Sequence, residues 1–139
     1  MRLLSVSFFL IICCIVNAQD TSCWQILVYN KPLIKSNLHK TQTTVISRKE
    51  KGSIKLVYNC DSYPEEWKRT FLIMNSERRE TGRFYYENKE NYVEIPIIKL
   101  KEITGEQTFT LYTTGIPKDS LIARTWRVKP VLLTTIQWQ

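Results

Sequence analysis

The sequence predicts an all-β protein, an antiparallel β-sandwich with one or two short helical turns, preceded by a cleaved signal peptide. Three observations lead there. Short apolar runs with aromatic and β-branched residues recur at spacings of about 10 residues. Asp, Asn, Ser, Pro and Gly cluster between them as turn chemistry. Only two stretches carry helical signals, each of about one or two turns.

The chain opens with Met1-Arg2, a minimal positive region, followed by a nearly unbroken apolar stretch from Leu3 to Val16. Val16-Asn17-Ala18 then places compact residues before Gln19, the pattern of a leader cleaved after Ala18. An apolar stretch of about 14 residues falls short of the roughly 20 that span a bilayer. Residues 1–18 are therefore set aside as a signal peptide, and 19–139 are read as a single β-sandwich domain, long enough to bury a core. Export places the protein in the periplasm or outside the cell, with no transmembrane segment in the mature chain.

Arg2 leaves with the leader, so the mature chain carries 19 Lys+Arg against 13 Asp+Glu and remains basic. Cys13 and Cys14 leave with it too, and Cys23 and Cys60 remain. In an oxidising compartment such a pair tends to close. The loop would hold about 38 residues, and on the chain-entropy model the bridge stabilises by roughly 4 kcal/mol. Two separately buried thiols are the alternative. No Cys-x-x-Cys occurs, so neither a zinc ribbon nor thiol redox catalysis is indicated.

Along the mature chain, "CWQILVYN" from Cys23 is the first strand. "SIKLVYN" puts Ile54, Leu56 and Tyr58 on one face and Lys55 and Val57 on the other. "WKRTFLIMN" from Trp67 follows the turn "CDSYPEE". "RFYYE" and "YVEIPI" are two short strands separated by the polar tip "NKEN"; Pro96 makes the second an edge strand or a bulge. "IIKLKEITG" reads as a short helix stopped by Gly105. "QTFTLYT" alternates, with Phe109 and Leu111 opposing Thr108, Thr110 and Tyr112. "PKDSLIA" is the second helical stretch, with Pro117 near a first-turn position.

The closing "TWRVKPVLLTTIQWQ" reads as one long core strand. Trp126, Val128, Leu132, Ile136 and Trp138 share its inward face, and Arg127 and Lys129 point to solvent. Its apolar part is too short for a membrane span or a lipid-anchor tail.

The segment "GEQTFTLYTTGIPKDSLIARTWRVKPVLLTTIQW" resembles the C-terminal end of small exported β-rich proteins of Bacteroidota bacteria with no assigned activity. The resemblance implies an envelope or secreted protein. It covers about a quarter of the chain and brings no functional residue with it.

Catalytic chemistry finds little support. His39 is the single histidine, in the polar stretch "SNLHKTQTT", with no second ligand at metal spacing. A G-x-S-x-G elbow is absent. Glu65 and Glu66 are adjacent on a turn and point apart, whereas glycosidase carboxylates face one another across about 5–10 Å. Neither a phosphate loop nor a dinucleotide fingerprint occurs, so no cofactor and no metal is expected.

Binding features are aromatic and cationic. Trp and Tyr stack on sugar rings but also fill cores, and most of them are expected to be core. Tyr85 and Tyr86 are strand neighbours, so one of the two should reach solvent. With Trp67 they form the candidate ligand-binding set. The basic stretches "SRKEKGSIK" and "ERRETGR" interleave glutamates, as a soluble mixed-charge surface does, and no nucleic-acid partner is expected. The expected function is an exported, non-catalytic binding or envelope-assembly domain with a protein or glycan partner. A carbohydrate-binding domain using exposed aromatics, and a small hydrolase of unrecognised type, are the alternatives.

Overall fold

In the computed structural model, residues 23–36, 42–59, 66–86 and 92–139 are described. The expected signal peptide of residues 1–18, His39, Cys60, Glu65 and the "NKEN" stretch lie outside them.

Among the described residues, nine strands form two sheets. The four-stranded sheet has the order β2-β1-β4-β7, built from β1 (Trp24–Val28), β2 (Lys31–Ser36), β4 (Ser53–Tyr58) and β7 (Tyr92–Pro96). The five-stranded sheet has the order β3-β9-β8-β5-β6, built from β3 (Thr43–Ile46), β5 (Trp67–Met74), β6 (Glu80–Tyr85), β8 (Phe109–Pro117) and β9 (Val131–Trp138). All pairings are antiparallel except β3 with β9. Two short helices complete the elements, α1 (Ile97–Thr104) and α2 (Ser120–Thr125). The expected all-β sandwich is the observed fold.

Period-two alternation builds the core. Trp24, Ile26, Ile54, Leu56, Val93 and Ile95 of one sheet are buried with Ile46, Phe71, Ile73, Phe109, Leu111 and Ile136 of the other in a single cluster. Helix α1 connects the two sheets between β7 and β8. It buries Ile97 and Leu100 and ends at Gly105, whose φ of 59° is the left-handed conformation glycine adopts without strain. Pro96 sits at the end of β7, an edge strand, where its missing N–H breaks no ladder.

Four details depart from the sequence reading. Strand β2 was not anticipated, because Pro32 interrupts its pattern. It pairs with β1 through a two-residue turn in which Tyr29 and Asn30 both have positive φ, the geometry that matches strand twist in a hairpin. Strand β3, in the polar stretch after His39, was also missed; it buries Thr44 and Ile46. Pro117 closes β8 instead of opening a helix, and the α2 N-cap is Asp119.

The fourth is the closing strand. It begins at Val131, not Trp126. A bulge between Leu111 and Tyr112 of β8 leaves Leu133 without a directly opposite partner and shifts the phase. Leu133 is therefore buried and Leu132 only half-buried, while Ile136 and Trp138 face inward as expected. Thr134 is buried with them. Its hydroxyl lies 2.8 Å from that of Thr44 and 2.8 Å from the Gln42 carbonyl, tying β3 to β9.

Candidate functional site

Between β8 and β9 the chain runs outside the sandwich for 13 residues, Lys118 to Pro130. Its start is fixed by Lys118 N–H donating to the Glu66 carbonyl at 2.9 Å. Asp119 then caps α2, its Oδ1 accepting from Leu121 N at 2.8 Å and Ile122 N at 3.3 Å. The turn closes with Trp126 N donating to the Ile122 carbonyl at 3.2 Å. So the segment has a defined shape, yet α2 buries no residue.

What it presents is apolar. Leu121 is 71 % exposed, Trp126 55 % and Ile122 46 %. The Trp126 ring meets Trp67 of β5 at 5.2 Å between centroids, inclined at 64°. Trp67 in turn lies opposite Pro117 in the ladder. Trp67, Pro117, Ile122 and Trp126 line a groove of about 540 Å³, with Glu66 and Asp119 at its polar margin. Four cations belong to the same connection. Lys118, Arg124, Arg127 and Lys129 are all exposed. Among the described residues, none of the four is in an ion pair.

A second groove of about 250 Å³ shares Trp67 and continues under the segment to Arg69, Val128 and Lys129. Arg69 is buried, with its guanidinium 4.2 Å from the Tyr58 ring centre. Gly115 opposite it leaves the room, since a Cβ there would lie 2.9 Å from Arg69 Nη2.

The tyrosine pair divides as the strand geometry requires. Tyr86 turns inward: its ring packs edge-on against Phe71 at 5.8 Å. Its hydroxyl donates to the Tyr58 carbonyl at 3.1 Å and accepts from Tyr58 N at 2.9 Å. Those bonds pin one sheet to the other and make Tyr86 a structural residue. Tyr85 is 44 % exposed, with Lys68 Nζ 4.3 Å above its ring. It borders a cleft of about 390 Å³ between β6 and β7, with Arg83, Tyr92, Glu94 and Lys99. Arg83 is already engaged: its Nε and Nη2 each donate to Glu80 at 2.8 Å. The hydrogen bond from Arg83 holds the Glu80 carboxyl below its ordinary range and raises the Arg83 guanidinium.

Trp67 and Tyr85 thus lie at different openings, and the expected set of Trp67, Tyr85 and Tyr86 is not one site. Sequence reasoning placed Trp126 inside; the structure exposes it. It also overlooked Leu121 and Ile122. The usable signal was "PKDSLIARTWRVKP", where a capped turn places two aliphatics and a tryptophan among four cations. Trp24 and Trp138 are buried, Trp67 is half-buried and Trp126 exposed, so two of the four tryptophans are core where most were expected to be.

Among the described residues, no group of three or more His, Cys, Asp or Glu side chains could hold a metal, and no helix is long and apolar enough to cross a membrane. No protein-family model, curated protein or solved structure matches the chain. The class that fold and site define is a two-sheet β-sandwich with an exposed apolar and cationic connection at one end.

Proposed function

We propose that this is an exported, non-catalytic binding domain whose contact face is the β8–β9 connection with Trp67. One observation carries the reading: Leu121, Ile122 and Trp126 stand exposed on a segment held in shape by its own cap and turn bonds. Apolar groups ordered at a surface without burial are the usual mark of a contact site. Export rests on the leader pattern of residues 1–18.

A Cys23–Cys60 disulfide belongs to the same proposal. Cys23 is buried, and its carbonyl accepts from Asn59 N at 2.7 Å. Cys60 is the next residue in the sequence after Asn59. Thiol labelling of the denatured, unreduced protein should find neither cysteine reactive; two labelled thiols would remove the bridge.

The carbohydrate reading draws on the same tryptophans. Their inclination of 64° presents a corner rather than a flat platform, so a sugar would stack on Trp126 alone.

Tryptophan emission tests the binding reading. Trp126 is solvated and should shift to shorter wavelength when covered. Protein, polysaccharide and extracted lipid fractions of the host envelope are each titrated against the wild type and a Leu121→Ser/Ile122→Ser variant. A saturable shift with one fraction, lost in the variant, supports the reading. No shift with any fraction, or equal shifts in both proteins, overturns it.

A further inference from the structure

We infer that the β8–β9 connection docks the domain on an anionic lipid surface. The inference rests on the binding reading above and names its ligand class.

The segment is an apolar tip set in cations. Leu121, Ile122 and Trp126 are each exposed, and Lys118, Arg124, Arg127 and Lys129 are exposed on the same 13-residue stretch. Asp119 is the sole acidic residue there, and its Oδ1 is occupied by the α2 cap. The stretch therefore carries a net charge of about +3, or about +2 with the exposed Glu66 that borders the same groove, and its cations stand on long aliphatic stems. That is the make-up of a surface that inserts shallowly between headgroups. Aliphatic side chains enter the acyl boundary and tryptophan sits at headgroup level. Lys and Arg lay their stems along the apolar surface while their charges meet anionic phosphates.

The alternatives fit less well. Protein interfaces are depleted in Lys, and two lysines stand at this tip. A glycan platform wants ring faces in one plane, and Trp67 and Trp126 are inclined at 64°. An acidic protein or polysaccharide would use the cations but leave Leu121, the most exposed of the three, uncovered.

Position supports the assignment. Val131 begins β9 at the end of the sandwich where the connection lies. Arg48 N–H donates to the Gln139 carbonyl at the other end of β9, at 2.7 Å. The exposed Lys49 and Lys51 are therefore at the far end of the sandwich and provide an internal control for charge alone.

The test is co-sedimentation of the full chain, processed as its host leaves it, with vesicles of phosphatidylcholine containing about 30 mol % phosphatidylglycerol. Three variants accompany the wild type: Leu121→Ser/Ile122→Ser/Trp126→Ser, Arg124→Gln/Arg127→Gln and Lys49→Gln/Lys51→Gln. The wild type should bind these vesicles, ignore pure phosphatidylcholine, and release at about 0.5 M NaCl, where the Debye length falls to a few ångströms. The arginine variant should partition roughly fivefold more weakly per cation removed. The tip variant should lose at least about tenfold, and the Lys49/Lys51 variant should match the wild type. Absence of binding overturns the inference. So does equal weakening by the Lys49/Lys51 variant, which means attraction of net charge, or undiminished binding by the tip variant, which means attachment elsewhere in the chain. An emission shift with the polysaccharide or protein fraction but no vesicle binding retains the contact face and removes the lipid. Failure in both experiments removes the contact face itself.

Discussion

Two consecutive stretches near the C-terminus look alike as sequence and behave oppositely as structure. "KDSLIARTWRVKP" and "VLLTTIQWQ" both mix aliphatics, a tryptophan and polar residues. The second is strand β9, paired to β8 on one side and β3 on the other, with Leu133, Thr134 and Ile136 almost inaccessible. The first pairs with no strand among the described residues and exposes Leu121, Ile122 and Trp126. Apolar content does not decide burial here; a ladder partner does. β9 has two neighbours that place its side chains between the sheets, whereas α2 is closed on itself by Asp119 and lies outside them.

The contrast fixes a scale of expected effects. Ending the chain after Pro130 should abolish cooperative folding, because β9 carries ladder bonds to two strands. Leu133→Ala and Ile136→Ala should each cost about 2–5 kcal/mol in denaturant unfolding. A loss under about 1 kcal/mol at Leu133 would mean that the bulge does not turn it inward.

Thr134→Val comes next. It leaves the buried Thr44 hydroxyl without its partner, at about 1–3 kcal/mol for an unsatisfied buried group, while the Gln42 carbonyl keeps its bond from Thr135 N. Thr134→Ser keeps the hydroxyl and should lose less; equal losses would assign the effect to packing.

Asp119→Ala removes a cap that typically contributes about 0.5–2 kcal/mol to its helix. Since α2 buries nothing, the loss should appear as faster amide exchange at Leu121 and Ile122, with the global transition hardly moved. A fall in global stability of that full size would show that α2 is coupled to the core.

The smallest effect lies at the other edge of the five-stranded sheet. Arg83 lowers the Glu80 pKa through an exposed hydrogen-bonded pair. A lowered carboxyl stabilises above its unfolded pKa and loses that contribution as pH falls through the folded value. Glu80→Gln should therefore flatten a shallow decline of stability at acid pH and leave neutral pH within about 0.5 kcal/mol of the parent. A large change at pH 7 would contradict so exposed a pair.

How much of this was legible in the sequence follows from the same physics. Strands with clean alternation, such as β4 and the start of β8, were read with their inward faces correct. Helix α1 carried its own stop in Gly105. Strand β2 was hidden by Pro32, harmless on an edge, and β3 by its threonines, of which Thr43 is exposed and Thr44 is buried with its hydroxyl on Thr134. The bulge at Leu133 is a pairing event between two strands and leaves no local mark. The candidate site was partly visible: Trp67 was singled out, but its partner Trp126 was assigned to a strand that begins five residues later.

One measurement bears directly on the division between these two stretches: denaturant unfolding of the Leu121→Ser/Ile122→Ser/Trp126→Ser variant beside Leu133→Ala. The exposed-face account predicts that the triple variant keeps the parent's stability within about 1 kcal/mol, as surface substitutions do, while the single core change costs about 2–5 kcal/mol. A triple variant destabilised as much as Leu133→Ala would show that the connection is packed against the domain, and would contradict its role as a contact face.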